Sequence, residues 1–365
     1  MIASSLMLAA LLAQAPVLTL SISAPAGSFD LGDEIPITFV VTNAGGGIYE
    51  YSDRNYDRSG RMAEYELAAM REDGAAAADP RAGTKRGYIG GGLSGFGKLP
   101  PGASFTKTVA LNLWALVDAP GRYTVTGRYA TERTGAVVQA RPIVIVVRER
   151  SADAMGRYVS GLGVALAASK TPENRDRLVQ RLAFTRDARA VPFLLEAMDA
   201  GGNQSFWASE AFAYYLPRSP AVTSQVIARA RDRGLADATA AVLDDLGAEP
   251  EVIRSLIASS LEPARRSSWF AAALAAQRFG DDRFMGRLIA IASNEDAGDI
   301  RTAAIQAIAM NRTDEGVAAL RRWLSDRDPK IRDRTADAIR IAYRSRGFAQ
   351  GRALRPEDFP ELAKR

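Results

Sequence analysis

Asp299-Ile300-Arg301-Thr302-Ala303-Ala304-Ile305-Gln306-Ala307-Ile308 is answered 31 residues later by Lys330-Ile331-Arg332-Asp333-Arg334-Thr335-Ala336-Asp337-Ala338-Ile339. The step extends backwards through the chain. Trp207, Ala238, Trp269, Ile300 and Ile331 share one phase, and four positions on lie Ala211, Val242, Ala273, Ala304 and Thr335. A second helix keeps the same step, through Val191, Val222, Ile253 and Phe284 and through Leu195, Val226, Ile257, Leu288 and Ala319. Two apolar registers at i and i+4 describe the buried stripe of a helix. Their repetition at a fixed period describes stacked pairs of helices, each of which buries its apolar face only against its neighbours. In this pattern Trp207 and Trp269 are expected to be core residues.

The two quoted decapeptides resemble the first helix of bacterial HEAT repeats, written D-x-x-(I/V)-R-x-x-A-x-x-A-(I/L). Asp328-Pro329 stands at the turn where that family often has Asp-Pro, and Arg186-Asp187-Ala188-Arg189-Ala190-Val191-Pro192 fits the start of the second helix. The resemblance covers about residues 172–345. It implies an α-solenoid, a fold that commonly binds other proteins along an extended surface.

Composition narrows the chemistry. The 365 residues are 47% apolar, enough for two packed domains, and contain neither cysteine nor histidine. Disulfides, thiolate nucleophiles, Cys/His zinc sites and histidine acid–base catalysis are thereby excluded. The di-iron hydroxylases built on HEAT repeats need histidine, so they are excluded too. The expectation is a protein that is not an enzyme and carries no cofactor. Net charge is +5, and only six of 47 basic residues are lysine. Residues 321–365 hold 13 basic against 7 acidic groups, too local a surplus for a nucleic-acid footprint. Arg332, Arg340 and Arg344 share a helical face there, joined by Arg321 and Arg322 from the preceding helix. These five arginines are the candidate surface for an acidic protein partner.

Upstream, the pattern changes to short alternating runs bounded by Gly, Pro, Asn and Asp: Leu18–Ile22, Ile35–Asn43, Ser104–Leu111, Gly121–Tyr129 and Arg141–Val147. These read as strands of an antiparallel β-sandwich. Residues 63–71 have helix-like composition but end in Glu72-Asp73-Gly74, a hairpin turn, and are read as a strand. Thr42-Asn43, Leu99-Pro100-Pro101-Gly102 and Pro120-Gly121-Arg122-Tyr123 resemble bacterial extracytoplasmic immunoglobulin-like domains, including the BsuPI-type proteinase-inhibitor fold. Asp53, Asn55, Asp57 and Glu64 occupy oxygen-ligand positions of a calcium loop. Arg58 stands where such a loop needs glycine, so a polar β-loop is the preferred reading. Gly90-Gly91-Gly92 lacks the strand and helix that flank a phosphate loop.

The apolar run Leu6–Ala13 followed by Ala13-Gln14-Ala15 fits an export signal with an A-x-A cleavage site, and is too short to span a membrane. The expected organisation is α+β: signal peptide 1–15, an immunoglobulin-like antiparallel β-sandwich over 16–148, a HEAT-type α-solenoid over 151–346, and a C-terminal cap or tail over 347–365. The expected function is a periplasmic or secreted protein-binding scaffold that does not bind nucleic acid. A proteinase inhibitor acting through the sandwich loops is the first alternative, and a HEAT-type DNA glycosylase the second.

Overall fold

The computed structural model describes residues 16–54, 61–62, 64–82, 94–130, 137–236, 238–294, 298–345 and 353–363. The expected signal peptide lies outside them. The chain is α+β, with a β-rich first part followed by helices. It forms two compact units. The first runs through Leu162 and takes in Phe184–Arg186, and the second comprises Gly163–Ala183 and the chain from Asp187 onward. No helix among the described residues is long and apolar enough to cross a membrane.

The first unit holds β1 (Leu18–Ser23), β2 (Ser28–Asp30), β3 (Pro36–Asn43), β4 (Tyr49–Arg54), β5 (Tyr65–Arg71), β6 (Ser94–Leu99), β7 (Ser104–Ala110), β8 (Gly121–Ala130), β9 (Val137–Gln139) and β10 (Ile143–Arg148). One sheet has the order β1-β3-β7, a second β2-β10-β8-β5 with β9 also on β8, and β4 pairs with β6. All pairings are antiparallel except β2 with β10. The ambiguous stretch is therefore the strand β5, paired to β8 and closed by the turn at Glu72–Gly74.

Alternation explains the core. Along β3, Ile37, Phe39 and Val41 are fully buried while Thr38, Val40 and Thr42 face outward. They meet Leu67, Val125, Tyr129 and Ile145 from the second sheet in one cluster. Phe39 and Tyr65 pack edge to face at 5.1 Å. Gly127 makes this possible, because a Cβ there would lie 2.8 Å from Ile22 Cγ2.

Two short sequence motifs carry the hydrogen bonds. Asn43, wholly buried, donates from Nδ2 to Gly47 O (2.7 Å) and Leu99 O (2.9 Å), and its Oδ1 accepts from Gly45 N (3.1 Å). It thus ties the end of β3 to the end of β6. Tyr123 donates its hydroxyl back to Ala119 O at 2.8 Å.

The second unit takes in most of its residues from helices. These are α1 (Ala152–Ala168, across which the two units divide), α2 (Pro172–Phe184), α3 (Val191–Asp199), α4 (Gly202–Glu210), α5 (Pro220–Arg233), α6 (Thr239–Asp245), α7 (Pro250–Ser260), α8 (Trp269–Arg278), α9 (Met285–Ala292), α10 (Gly298–Met310), α11 (Asp314–Leu324), α12 (Pro329–Arg344) and α13 (Pro360–Ala363). Helix α3 packs on α4, α5 to α8 pack in succession and so do α9 to α12, and α8, α10 and α12 also pack side by side. The register Ala211, Val242, Ala273, Ala304 and Thr335 is completely buried, and so are Val191, Val222, Ile253 and Phe284 to within 1%. Trp207 and Trp269 differ from expectation. Both are only half-buried, Trp207 against the Phe206 ring and Trp269 with Nε1 donating to Glu262 O at 3.0 Å.

Polar ties span neighbouring helix pairs. Arg229 of α5 binds Glu196 (2.9 Å) and Asp199 of α3, and Arg283 binds Glu251 (2.7 Å) and Asp281. Arg301, 9% exposed, reaches Asp326 at 3.4 Å, and buried Asn311 donates to Ala276 O at 2.6 Å. The Arg283 guanidinium beside Asp281 holds that carboxyl down to about 2.

Two outcomes are expected. Asn43→Ala leaves two carbonyls and an amide unpaired in the core and should cost about 2–4 kcal/mol in urea unfolding, whereas Thr38→Ala, which removes an exposed hydroxyl pair, should cost less than about 1 kcal/mol. Asp281 titrates lower in the folded state than its unfolded value of about 4, so the stability it contributes is present above about pH 4 and is lost as pH falls toward 2. Asp281→Asn keeps the acceptor for the Arg283 amide but should flatten the melting temperature measured stepwise across that window.

Candidate protein-binding site

The shared phase of the 31-residue step carries a large side chain at Trp207, Trp269, Ile300 and Ile331, and a methyl group at Ala238. The backbone there is different as well. Gly234 ends α5 at φ 85°, and a Cβ at this position would lie 2.2 Å from Ser268 Oγ. Ala238 then adopts φ 62°, in the left-handed region that a non-glycine residue rarely occupies. Helix α6 is left with 7 residues, against 13 in α10 and 16 in α12.

A cleft of about 200 Å³ opens between α8 and the start of α6 with the turn before it. Leu235, Ala238 and Ala241 line one wall, and Ala271, Ala275 and Phe279 the other. Two large apolar side chains of α8 are partly exposed here, Leu274 within the lining at 40% exposure and Phe270 one turn before it at 38%. Phe270, Leu274 and Arg278 form one row on α8 at i, i+4 and i+8. Arg278 closes the end of the row. Its Nη2 lies 2.5 Å from Asp244 Oδ2, and its guanidinium lies 5.1 Å from the centre of the Phe279 ring. The lining offers no nucleophile and no acid–base pair. It offers apolar surface next to a largely neutralised ion pair, an environment that takes up an apolar side chain by releasing water.

Of the five arginines singled out in the sequence, three have partners within the unit. Arg321 donates to Asp358 O at 3.2 Å, Arg332 to Asp326 O at 2.7 Å and to Arg327 O at 3.0 Å, and Arg340 to Asp337 Oδ1 at 2.9 Å. Arg322 and Arg344 are exposed.

The calcium candidates fall in the first unit. Asp53 pairs through its backbone with Gly95 in the β4–β6 ladder, and Asn55 and Asp57 lie outside the described residues. Glu64 is buried at 3% exposure beside the Tyr49 and Tyr129 hydroxyls, which are 3.3 Å apart. Burial pushes both tyrosines up from their ordinary value, and the Glu64 carboxylate adds to it. Among the described residues no cluster of three or more Asp or Glu side chains is placed to hold a metal ion.

No protein-family model and no curated protein sequence matches the chain. Among solved structures, a β-glucosidase from Listeria innocua matches 36% of this chain and 16% of its own length, at 14% identity and TM-score 0.20. A CARDB domain from Pyrococcus furiosus matches 37% of this chain and 96% of its own length, at 13% identity and TM-score 0.19. The sporulation control protein Spo0M of Bacillus subtilis matches 40% and 54%, at 13% identity and TM-score 0.21. The chain thus spans about a sixth of the glucosidase it matches, and none of these similarities bears on function.

Sequence reasoning did not reach the cleft. Its signal is the exception at Ala238, the one small residue in a register of Trp and Ile. Replacing Ala238 by glycine removes a left-handed strain of about 1–2 kcal/mol and adds unfolded-state entropy worth about 0.5–1 kcal/mol. Ala238→Gly should therefore raise stability by about 0.5–1 kcal/mol in urea unfolding.

Proposed function

We propose that this chain is a non-enzymatic, protein-binding scaffold of the bacterial envelope or exterior. Its helical unit is a HEAT-type solenoid that carries the binding surface, and its first unit is an immunoglobulin-like sandwich. The α6–α8 cleft is the observation that carries this reading. An open apolar notch lined by Leu274, with Phe270 one turn before it, fits an apolar side chain presented by a partner's amphipathic helix. The solenoid reading is supported by the 31-residue registers that begin at Val191 and Ala211, buried at every step, and by ion pairs that link one helix pair to the next. The sandwich reading is supported by the bond from Tyr123, near the start of β8, to a carbonyl four residues upstream, as in a tyrosine corner. Absence of cysteine and histidine from the whole sequence, and of any reactive group from the cleft, supports binding rather than catalysis.

The test compares immobilised wild type with a Phe270→Asp/Leu274→Asp variant as bait for extracts of the source cell envelope. A protein retained by wild type and lost from the folded variant is the expected result. An identical retained set from both, with circular dichroism unchanged, overturns the assignment of the cleft.

A further inference from the structure

The segment Ala353–Ala363 lies on the far end of the helical unit and is held as a bound peptide is held. Leu354 donates its amide to Ala309 O (3.0 Å), one of the last carbonyls of α10, which has no partner within its own helix. Arg312 Nε shares its one hydrogen between the two carboxylate oxygens of Asp358, each at 3.0 Å. Arg321 donates to Asp358 O, and its guanidinium lies 5.7 Å from the centre of the Phe359 ring. Tyr343 of α12 donates its hydroxyl to Phe359 O at 3.2 Å. Leu354 and Phe359 are both fully buried.

Receptor and ligand divide cleanly along the chain. The receptor groups come from α10, the α10–α11 turn, α11 and α12. The ligand groups are a leucine and, four positions on, an acidic–aromatic pair. The ligand also holds its own turn: Asp358 accepts from Arg355 N at 2.8 Å and donates its own amide to Arg355 O at 3.0 Å, bonds that need no receptor group. Charge is complementary, with Arg312 and Arg321 facing a segment that carries Glu357 and Asp358.

We propose that this surface is a peptide receptor, occupied in the free protein by the chain's own residues 353–363. In trans it takes a partner segment of the same chemistry, Leu-x-x-x-Asp-Phe. The native segment keeps the site closed, and its release admits the partner. The site is separate from the α6–α8 cleft, so substitutions at Phe270 and Leu274 leave it unchanged, and failure of either assignment can be told from failure of the other.

The experiment uses the full chain carrying Leu354→Ala and Phe359→Ala, which undock the native segment while leaving the receptor intact, and a fluorescent peptide of residues 353–363. By anisotropy the double variant should bind the peptide about tenfold or more tighter than wild type, because the competent fraction is no longer held closed. Adding Arg312→Ala should weaken that binding about tenfold, through loss of the charge-assisted bond to the carboxylate. Equal weak binding by wild type and a folded double variant overturns the proposal. If the double variant does not fold, hydrogen exchange of the Leu354 amide in wild type decides. Exchange through an opening that spares the amides of α10 supports a displaceable ligand, and exchange only with global unfolding shows a fixed part of the fold and overturns it.

Discussion

The helical unit depends on a steric constraint that recurs every 31 residues. Where first helices of neighbouring pairs approach, the side chain at the contact must be small or compactly branched, since interaxial distances of about 8–10 Å leave no room for more. Ala211, Val242, Ala273, Ala304 and Thr335 meet the constraint, each at zero exposure. Thr335 meets it although it is polar, because its hydroxyl donates to Ile331 O at 2.7 Å and leaves no donor unsatisfied in the core. With that contact fixed, the larger residues Val222, Ile253, Phe284 and Leu288 fill the space between helices of a pair. The arginine ties run around this core and add orientation more than energy, as most have one partner well exposed.

A chain without cysteine must hold the first unit by other means. The β-sheets bury one apolar face each, but loops between them still have backbone groups to satisfy. Asn43 and Asn112 do this from inside. Asn112 accepts from Ile35 N at 2.8 Å and donates to Asp33 O at 3.0 Å, fixing the entry to β3 as Asn43 fixes its exit. Just beyond β10, Arg150 contributes an ion pair and a ring contact instead of backbone bonds. It is 9% exposed, bound to Asp33 at 2.6 Å, and its guanidinium stacks 3.9 Å from the centre of the Tyr158 ring. Such a part-buried, stacked pair is worth more than the exposed pair between Arg148 and Asp30 beside it.

Much of this was legible because periodicity is a local property. The 31-residue step located the buried registers, and alternation located β3, β8 and β10. The turn residues after Arg71 outweighed a helix-like composition in β5. What periodicity does not contain is the environment that each position meets. Trp207 and Trp269 share a phase with Ile331, yet their rings lie half in water while Ile331 is 4% exposed. The close approach of Gly234 to Ser268, 34 positions away, is also a contact that no local pattern encodes. Counting arginines over 321–365 likewise measured charge without partners. The partner of Arg321 sits in the terminal segment, and that of Arg332 in the preceding turn.

The ends of a stack of helix pairs pose a problem that its interior does not. Every inner pair is covered on both sides, whereas the last exposes apolar surface and the free carbonyls of its helices. Another helix pair would solve this by repetition. Here the solution after α12 is a short segment with two apolar anchors and one carboxylate. Such a cover is shorter than a helix pair, and the proposal that it is displaceable requires it to open at lower free energy than the core beneath it. An end surface lined by Arg312 and Arg321 and covered by a separate short segment can be uncovered without parting the helices, whereas the inner contacts of the same stack cannot.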